Sequence, residues 1–167
     1  SFFYAVGKGF PIGISTTFLS FGNIRRYKRI DVLIDAAQRV YEEISTKFRV
    51  IIAGSCPDWS VYQQIIRYPE LFDLRIGRVA DGEIPDLFEE CDYFVTPYQD
   101  IAQSGSLIVG INYNKPIIAS KLDAFEEYVE DKKNGFLIKP ADVDDLACVM
   151  KTAIQNHQQI YPKLTQV

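Results

Sequence analysis

The chain is poor in the residues that most often do chemistry: it has one histidine and three cysteines in 167 residues. With only His157, near the carboxyl end, no Ser-His-Asp set or Cys-His pair can be assembled, which argues against hydrolysis or acyl transfer. Cys56, Cys91 and Cys148 lie far apart and lack paired metal-ligand spacing. They read as small buried hydrophobes in a reducing compartment rather than as a disulfide or metal site. No apolar run approaches the ~20 residues of a membrane-spanning helix, and no basic-then-apolar leader opens the chain. A formal net charge of -4 and a pI near 5.0 leave no general basic face for nucleic acid, so any phosphate affinity must be local. Neither Gly-x-Gly-x-x-Gly after a strand nor a phosphate loop ending in Gly-Lys-Ser/Thr is present, and no internal repeat or low-complexity segment interrupts the chain.

What remains is a 47% hydrophobic sequence of a length that suits one compact domain with a substantial core. Residues 16–21 form a short apolar run ending at Gly22, and Ile30, Leu33, Ile34, Ala37, Val40, Tyr41 and Ile44 then recur at helical spacing. A β-rich run over 48–54 precedes an expected helix from Trp59 to Arg67, stopped by Pro69. Strands are expected at 74–77, 93–95, 117–119 and 135–138. Between them lie a helix capped by Asp81, one opened by Ser104, a short one over 125–130 and a last one over 142–153. Strict alternation without hairpin signals predicts an α/β fold, a Rossmann-like doubly wound parallel sheet that binds ligands beyond the carboxyl ends of its strands. Ser1-Phe2-Phe3-Tyr4, with neither a helix signal nor an initiator Met, reads as the start of a piece of a longer protein. The expected organisation is a leading segment over 1–15, the domain over 16–154 and a polar, aperiodic tail over 155–167, in which His157 is read as solvated.

The sharpest motif is Ser104-Gly105-Ser106-Leu107, a small-residue loop opening a helix after the strand that contains Tyr93, Phe94 and Val95. Such a loop leaves first-turn N–H groups unpaired at the positive end of the helix dipole, where a phosphate is favoured. Gly22 through Lys28 supplies cationic groups from a second strand-to-helix loop. Together the two loops point to an anionic, nucleotide-bearing ligand. Taken alone, Lys28 and Arg25 read as solvated loop charges, and Ser104 and Gly105 as a helix cap.

The order of these segments resembles the C-terminal, nucleotide-sugar-binding half of a GT-B glycosyltransferase of the glycosyltransferase family 4 or group 1 type, over about 16–153. Phe21-Gly22-Asn23-Ile24-Arg25-Arg26-Tyr27-Lys28-Arg29 is similar to the family's glycine loop. The resemblance implies that Lys28 contacts the donor diphosphate and that Arg25 takes the role of an arginine the family often places directly after the glycine. Arg29 stands where a glycine commonly follows the lysine. The resemblance further implies diphosphate contacts from Gly22, Ser104, Gly105, Ser106 and Leu107. The base, ribose and sugar pocket would draw on Gly54, Val79, Gln103 and Glu127, although a first-turn helix role for Glu127 is an equal alternative. Two glutamates that many members carry eight positions apart fall at Ile101 and Val109, so ribose recognition is rebuilt, weakened or abandoned here. Gln103-Ser104-Gly105 resembles a Gln-Ser-Gly variant of that loop.

The implied activity is retaining transfer of a hexose from a nucleotide-diphosphate sugar, without a resident metal or cofactor, in polysaccharide or glycan biosynthesis. The implied partners are the nucleotide sugar, a separate N-terminal acceptor domain and a glycan or lipid-linked acceptor, with no nucleic acid. The expected location is the cytoplasm, peripheral to a membrane if the acceptor domain places it there. The fragment alone is expected to bind donor and transfer little. A degenerate GT-B domain serving as scaffold or binding module is the alternative, and an unrelated Rossmann-type enzyme ranks last.

Overall fold

The computed structural model describes residues 15–100 and 105–165. Its centre is a six-stranded parallel sheet of β1 (Thr16–Phe21), β2 (Phe48–Gly54), β3 (Phe72–Ile76), β4 (Tyr93–Thr96), β5 (Ile117–Ser120) and β6 (Gly135–Ile138). The order across the sheet is β3-β2-β1-β4-β5-β6. The order therefore reverses between β1 and β4, and the crevice at that switch point is where open α/β sheets bind ligands.

The helices are α1 (Ile30–Glu43), α2 (Ser60–Gln63), α3 (Ile84–Glu90), α4 (Gly105–Asn112), α5 (Asp123–Glu126), α6 (Val143–Gln155) and α7 (His157–Leu164). They divide between the sheet's two faces because each strand alternates its side chains. Phe18, Val50, Ile52, Tyr93 and Val95 join α1, α6 and α7 in one core. Leu19, Ile51, Ala53 and Phe94 join α3, α4 and α5 in the other. The α1 stripe expected from helical spacing is buried at Ile30, Leu33, Ile34, Ala37 and Val40. The β1–β4 junction is latched by Asp92, whose carboxylate accepts from the Thr17 N–H at 2.8 Å while its own N–H donates to the Thr17 carbonyl at 2.8 Å.

Five local expectations change. The helix expected from Trp59 to Arg67 is α-helical only at Ser60–Gln63. Gln38, fully buried on α1, donates to the Ile65 carbonyl at 3.1 Å and accepts from the Arg67 N–H at 2.5 Å and the Tyr68 N–H at 3.2 Å, drawing those backbone groups out of helical pairing. The segment read as an aperiodic tail contains α7, which packs Tyr161 edge-on against Tyr93 with ring centroids 5.5 Å apart and buries Leu164. His157 is half-buried instead of fully solvated: it stacks on Tyr161 at 4.8 Å, and its Nδ1 is buried. Asp81 sits in a 3-10 turn ahead of α3, where Glu83 rather than Asp81 accepts the Ala80 N–H at 2.9 Å. Of the three free cysteines only Cys91 is buried, while Cys56 is intermediate and Cys148 is exposed.

Candidate functional site

Two glycines shape the floor. Gly22 follows β1 with φ 116°, and a Cβ there would lie 1.9 Å from Ser106 Oγ and 3.1 Å from Lys28 Nζ. Gly54 ends β2 with φ 150°, and its Cβ would strike the Gly22 carbonyl oxygen at 1.9 Å. Both positions demand glycine twice over, through backbone conformation and through lack of room. Gly54 thus sits directly against the loop of Gly22. Beyond Gly22, the Ile24 N–H donates to the Ser55 carbonyl at 2.8 Å and its side chain is buried, anchoring the loop that carries Arg25 and Lys28.

Lys28 is only 6% exposed. Its Nζ donates to Ser106 Oγ at 3.4 Å and lies 5.8 Å from the centre of the buried Tyr98 ring. Among the described residues no ion pair involves Lys28 or Arg25. Burial, reinforced by the nearby Arg25 charge, lowers the Lys28 ammonium from its ordinary 10.5 to about 8. A buried cation facing a hydroxyl and an aromatic ring instead of a carboxylate is costly in the free protein and suited to an incoming anion. Arg25 is exposed and extended just before the 3-10 turn Arg26–Lys28.

The second wall is the N-terminus of α4. Gly105 starts the helix, and no atom of the described residues lies within 4 Å of where its Cβ would be, which leaves room for a ligand to approach its backbone. Ser106 reaches across to Gly22 and Lys28, placing the positive end of the α4 dipole on the same spot as the ammonium. Gly110 lets α4 lie tightly on the sheet, since a Cβ there would sit 2.3 Å from the Phe94 ring. The Leu107 side chain is buried in the core beneath the helix. Gln103 and Ser104, expected in this loop, lie outside the described residues, as does Ile101.

Beside this pair of loops a cleft of about 250 Å³ is lined by Ala53, Arg75, Gly77, Val79, Glu83 and Leu87. Val79, the expected base contact, lines this cleft. Arg75 in the cleft wall is already committed, at 2.8 Å to both Asp73 and Glu90, and those two carboxylates hold its guanidinium further into the charged range. Glu127 is exposed at the C-terminal boundary of α5, not in a first helical turn. Val109 is half-buried among the apolar residues of the α4 face.

The structure thus brings Gly22, Lys28, Gly105 and Ser106 together, sets Val79 in an adjoining cleft and leaves Arg25 at the rim. The sequence reading did not foresee the Ser106 hydroxyl as a Lys28 acceptor or Tyr98 as its ring partner. Ser106 and Lys28 are separated by 78 positions, and only the β1–β4 pairing makes them neighbours.

The chain is similar to known proteins in sequence and in fold. A relative from Methanocaldococcus jannaschii, the uncharacterized glycosyltransferase MJ1178, is 25% identical over 135 residues, covering 78% of this chain and 36% of that protein. The chain thus spans about a third of that relative's length. The C-terminal domain of a group 1 glycosyl transferase, LpcC from Francisella tularensis, superposes with a TM-score of 0.75 at 21% identity, over 90% of this chain and 80% of that one. Anabaena Alr3699/HepE, solved in complex with UDP, gives a TM-score of 0.74 at 21% identity, over 91% of this chain and 42% of that one. The shared fold is the C-terminal half of a GT-B architecture. Residues 15–156 match the sequence family described as Glycosyl transferases group 1, and the chain belongs to that family.

Proposed function

We propose that this chain is the donor-binding domain of a glycosyltransferase that moves a sugar from a nucleotide-diphosphate sugar to an acceptor, with retention, in polysaccharide or glycan assembly. The observation that carries the reading is Lys28, a buried ammonium without a carboxylate, facing the first turn of α4 across Gly22. As the sugar departs, negative charge grows on the diphosphate, and fixed donors aimed at that charge act most strongly in the transition state. Lys28, Arg25 at the rim and the amides that open α4 would supply them, with no resident metal or cofactor. The cleft at Val79 would take the base. The UDP complex of the similar HepE structure makes a uridine nucleotide the first to try. A separate N-terminal domain would bring a glycan or lipid-linked acceptor, in keeping with the third of the relative's length spanned here. Among the described residues no helix is long and apolar enough to cross a membrane. In this reading the site faces the cytoplasm, and peripheral membrane attachment would come through that other domain.

The test is calorimetric titration of the chain with UDP, GDP and their sugars, beside a Lys28→Ala variant. Binding of one diphosphate, weakened by about 1–3 kcal/mol in the variant, is the expected result. The second reading, a degenerate domain used as a scaffold, is favoured by the apolar Val109 where the family often places a glutamate. Absence of nucleotide binding in both the fragment and the full-length protein would favour it.

A further inference from the structure

Arg29 holds a backbone conformation that an L residue seldom adopts, φ 51° and ψ 54°, and it caps α1 directly after Lys28. Each of its three guanidinium nitrogens makes a hydrogen bond. Nε and Nη2 donate to the two carboxylate oxygens of Asp31 at 3.0 and 3.1 Å, and Nη1 donates to Gln99 Oε1 at 2.9 Å. The Gln99 N–H donates in turn to the Tyr27 carbonyl at 2.8 Å, and the rings of Tyr27 and Tyr98 meet edge to face at 5.6 Å. The loop after β1 and the loop after β4 are therefore tied together twice, once through a side chain and once through the backbone, on the outer side of Lys28.

An ion pair with Asp31 does not account for this arrangement. Exposed pairs of that kind contribute little, and glycine would adopt the same backbone freely. What arginine alone adds is the reach to Gln99. We propose that Arg29 and Gln99 are positioning residues, a clamp that fixes the spacing between the Lys28 ammonium and the first turn of α4 so that one diphosphate meets both. The left-handed turn at Arg29 serves the same end, because it directs Lys28 inward while α1 departs. The clamp forms part of the wall of an open cleft of about 510 Å³, bordered also by Arg26, Asp31 and Tyr62, so it is reached by solvent and can be altered without disturbing the core. The effect on binding rests on the donor-binding reading above; the clamp itself is a property of the free protein.

The experiment compares Arg29→Gly, Gln99→Ala and the double variant of the chain by thermal unfolding, by amide exchange at Gln99 without ligand, and by titration with UDP and GDP. Arg29→Gly relieves the backbone, so its Tm is expected within about 3 °C of the parent. The Gln99 amide should nevertheless exchange about tenfold faster, and diphosphate affinity should fall by about three- to tenfold. Gln99→Ala leaves every charge in place and should cause the same loss. The double variant should lose no more than either single one, which separates a shared clamp from two independent contacts. Parental affinity in Gln99→Ala, or additive losses in the double variant, overturns the proposal. Failure of the parent chain to bind either diphosphate overturns the donor reading instead. The exchange rate then decides the clamp by itself: a faster rate in Arg29→Gly upholds it, and an unchanged rate removes it.

Discussion

Replacing Lys28 with methionine is expected to make the domain more stable while weakening its hold on a diphosphate by about 1–3 kcal/mol. The ammonium is 6% exposed and is lowered from 10.5 to about 8, first by burial and then by Arg25. That displacement corresponds to about 3 kcal/mol of lost stability, which a discount for dielectric screening brings to about 2 kcal/mol. Methionine has similar length and no charge, so Tm should rise by about 6 °C in a domain of this size. The pH dependence sharpens the test. Below pH 8 the folded and unfolded chains both hold the Lys28 proton, and the full burial penalty is present. Between about 8 and 10.5 the unfolded chain holds that proton more tightly, so the penalty fades and stability rises with pH. Diphosphate binding runs the other way. The charged fraction of Lys28 falls from about nine-tenths at pH 7 to about one-tenth at pH 9, and affinity should drop by about tenfold with it. Urea unfolding and calorimetric titration of parent and Lys28→Met across pH 7 to 10 read both slopes, and the difference between the two proteins isolates Lys28. A less stable Lys28→Met, or diphosphate binding by it within about twofold of the parent, would refute the account of Lys28 as a strained anion site.

Three other substitutions probe the frame. Gly22→Ala must fit a Cβ 1.9 Å from Ser106 Oγ at φ 116°, so it should lose about 2–4 kcal/mol in urea unfolding and lose diphosphate binding as well. Gly110→Ala places a methyl 2.3 Å from the Phe94 ring and should cost about 1–3 kcal/mol, with weaker diphosphate binding as α4 is pushed off the sheet. Tyr93→Phe removes a buried hydroxyl that has no hydrogen-bond partner among the described residues, and its urea midpoint should rise by the equivalent of about 1 kcal/mol. A lower midpoint would show that the hydroxyl is bonded.

The alternation of buried strands and amphipathic helices was readable because each signal is local. The run over 16–21, the α1 stripe and the Gly135–Ile138 strand are each specified by their own residues, and parallel order follows from the missing hairpin turns. The expected helix over 59–67 failed for a distant cause, since Gln38 captures its backbone from another element. α7 was hidden by polar composition and by Pro162 within it, and its apolar spacing of Ile160 and Leu164 covers one turn only. At the site, glycine followed by cations marked Gly22, Arg25 and Lys28, and a small-residue loop before a helix marked Gly105. The partners that give Lys28 its character, Ser106 and Tyr98, lie 70 or more positions away, and no spacing rule reports them.

The pairing of β1 with β4 that joins Lys28 to Ser106 also decides when the site exists during folding. Neither half of the sheet can present a partial version of it, because the two loops become neighbours only once a long-range contact has closed. A ligand spanning both loops would therefore bind the native chain and almost nothing less complete. At a concentration a hundredfold above its Kd it would add about 2.7 kcal/mol to global stability. Supply of the small molecule would then set not only how fast the domain works but how long each copy survives.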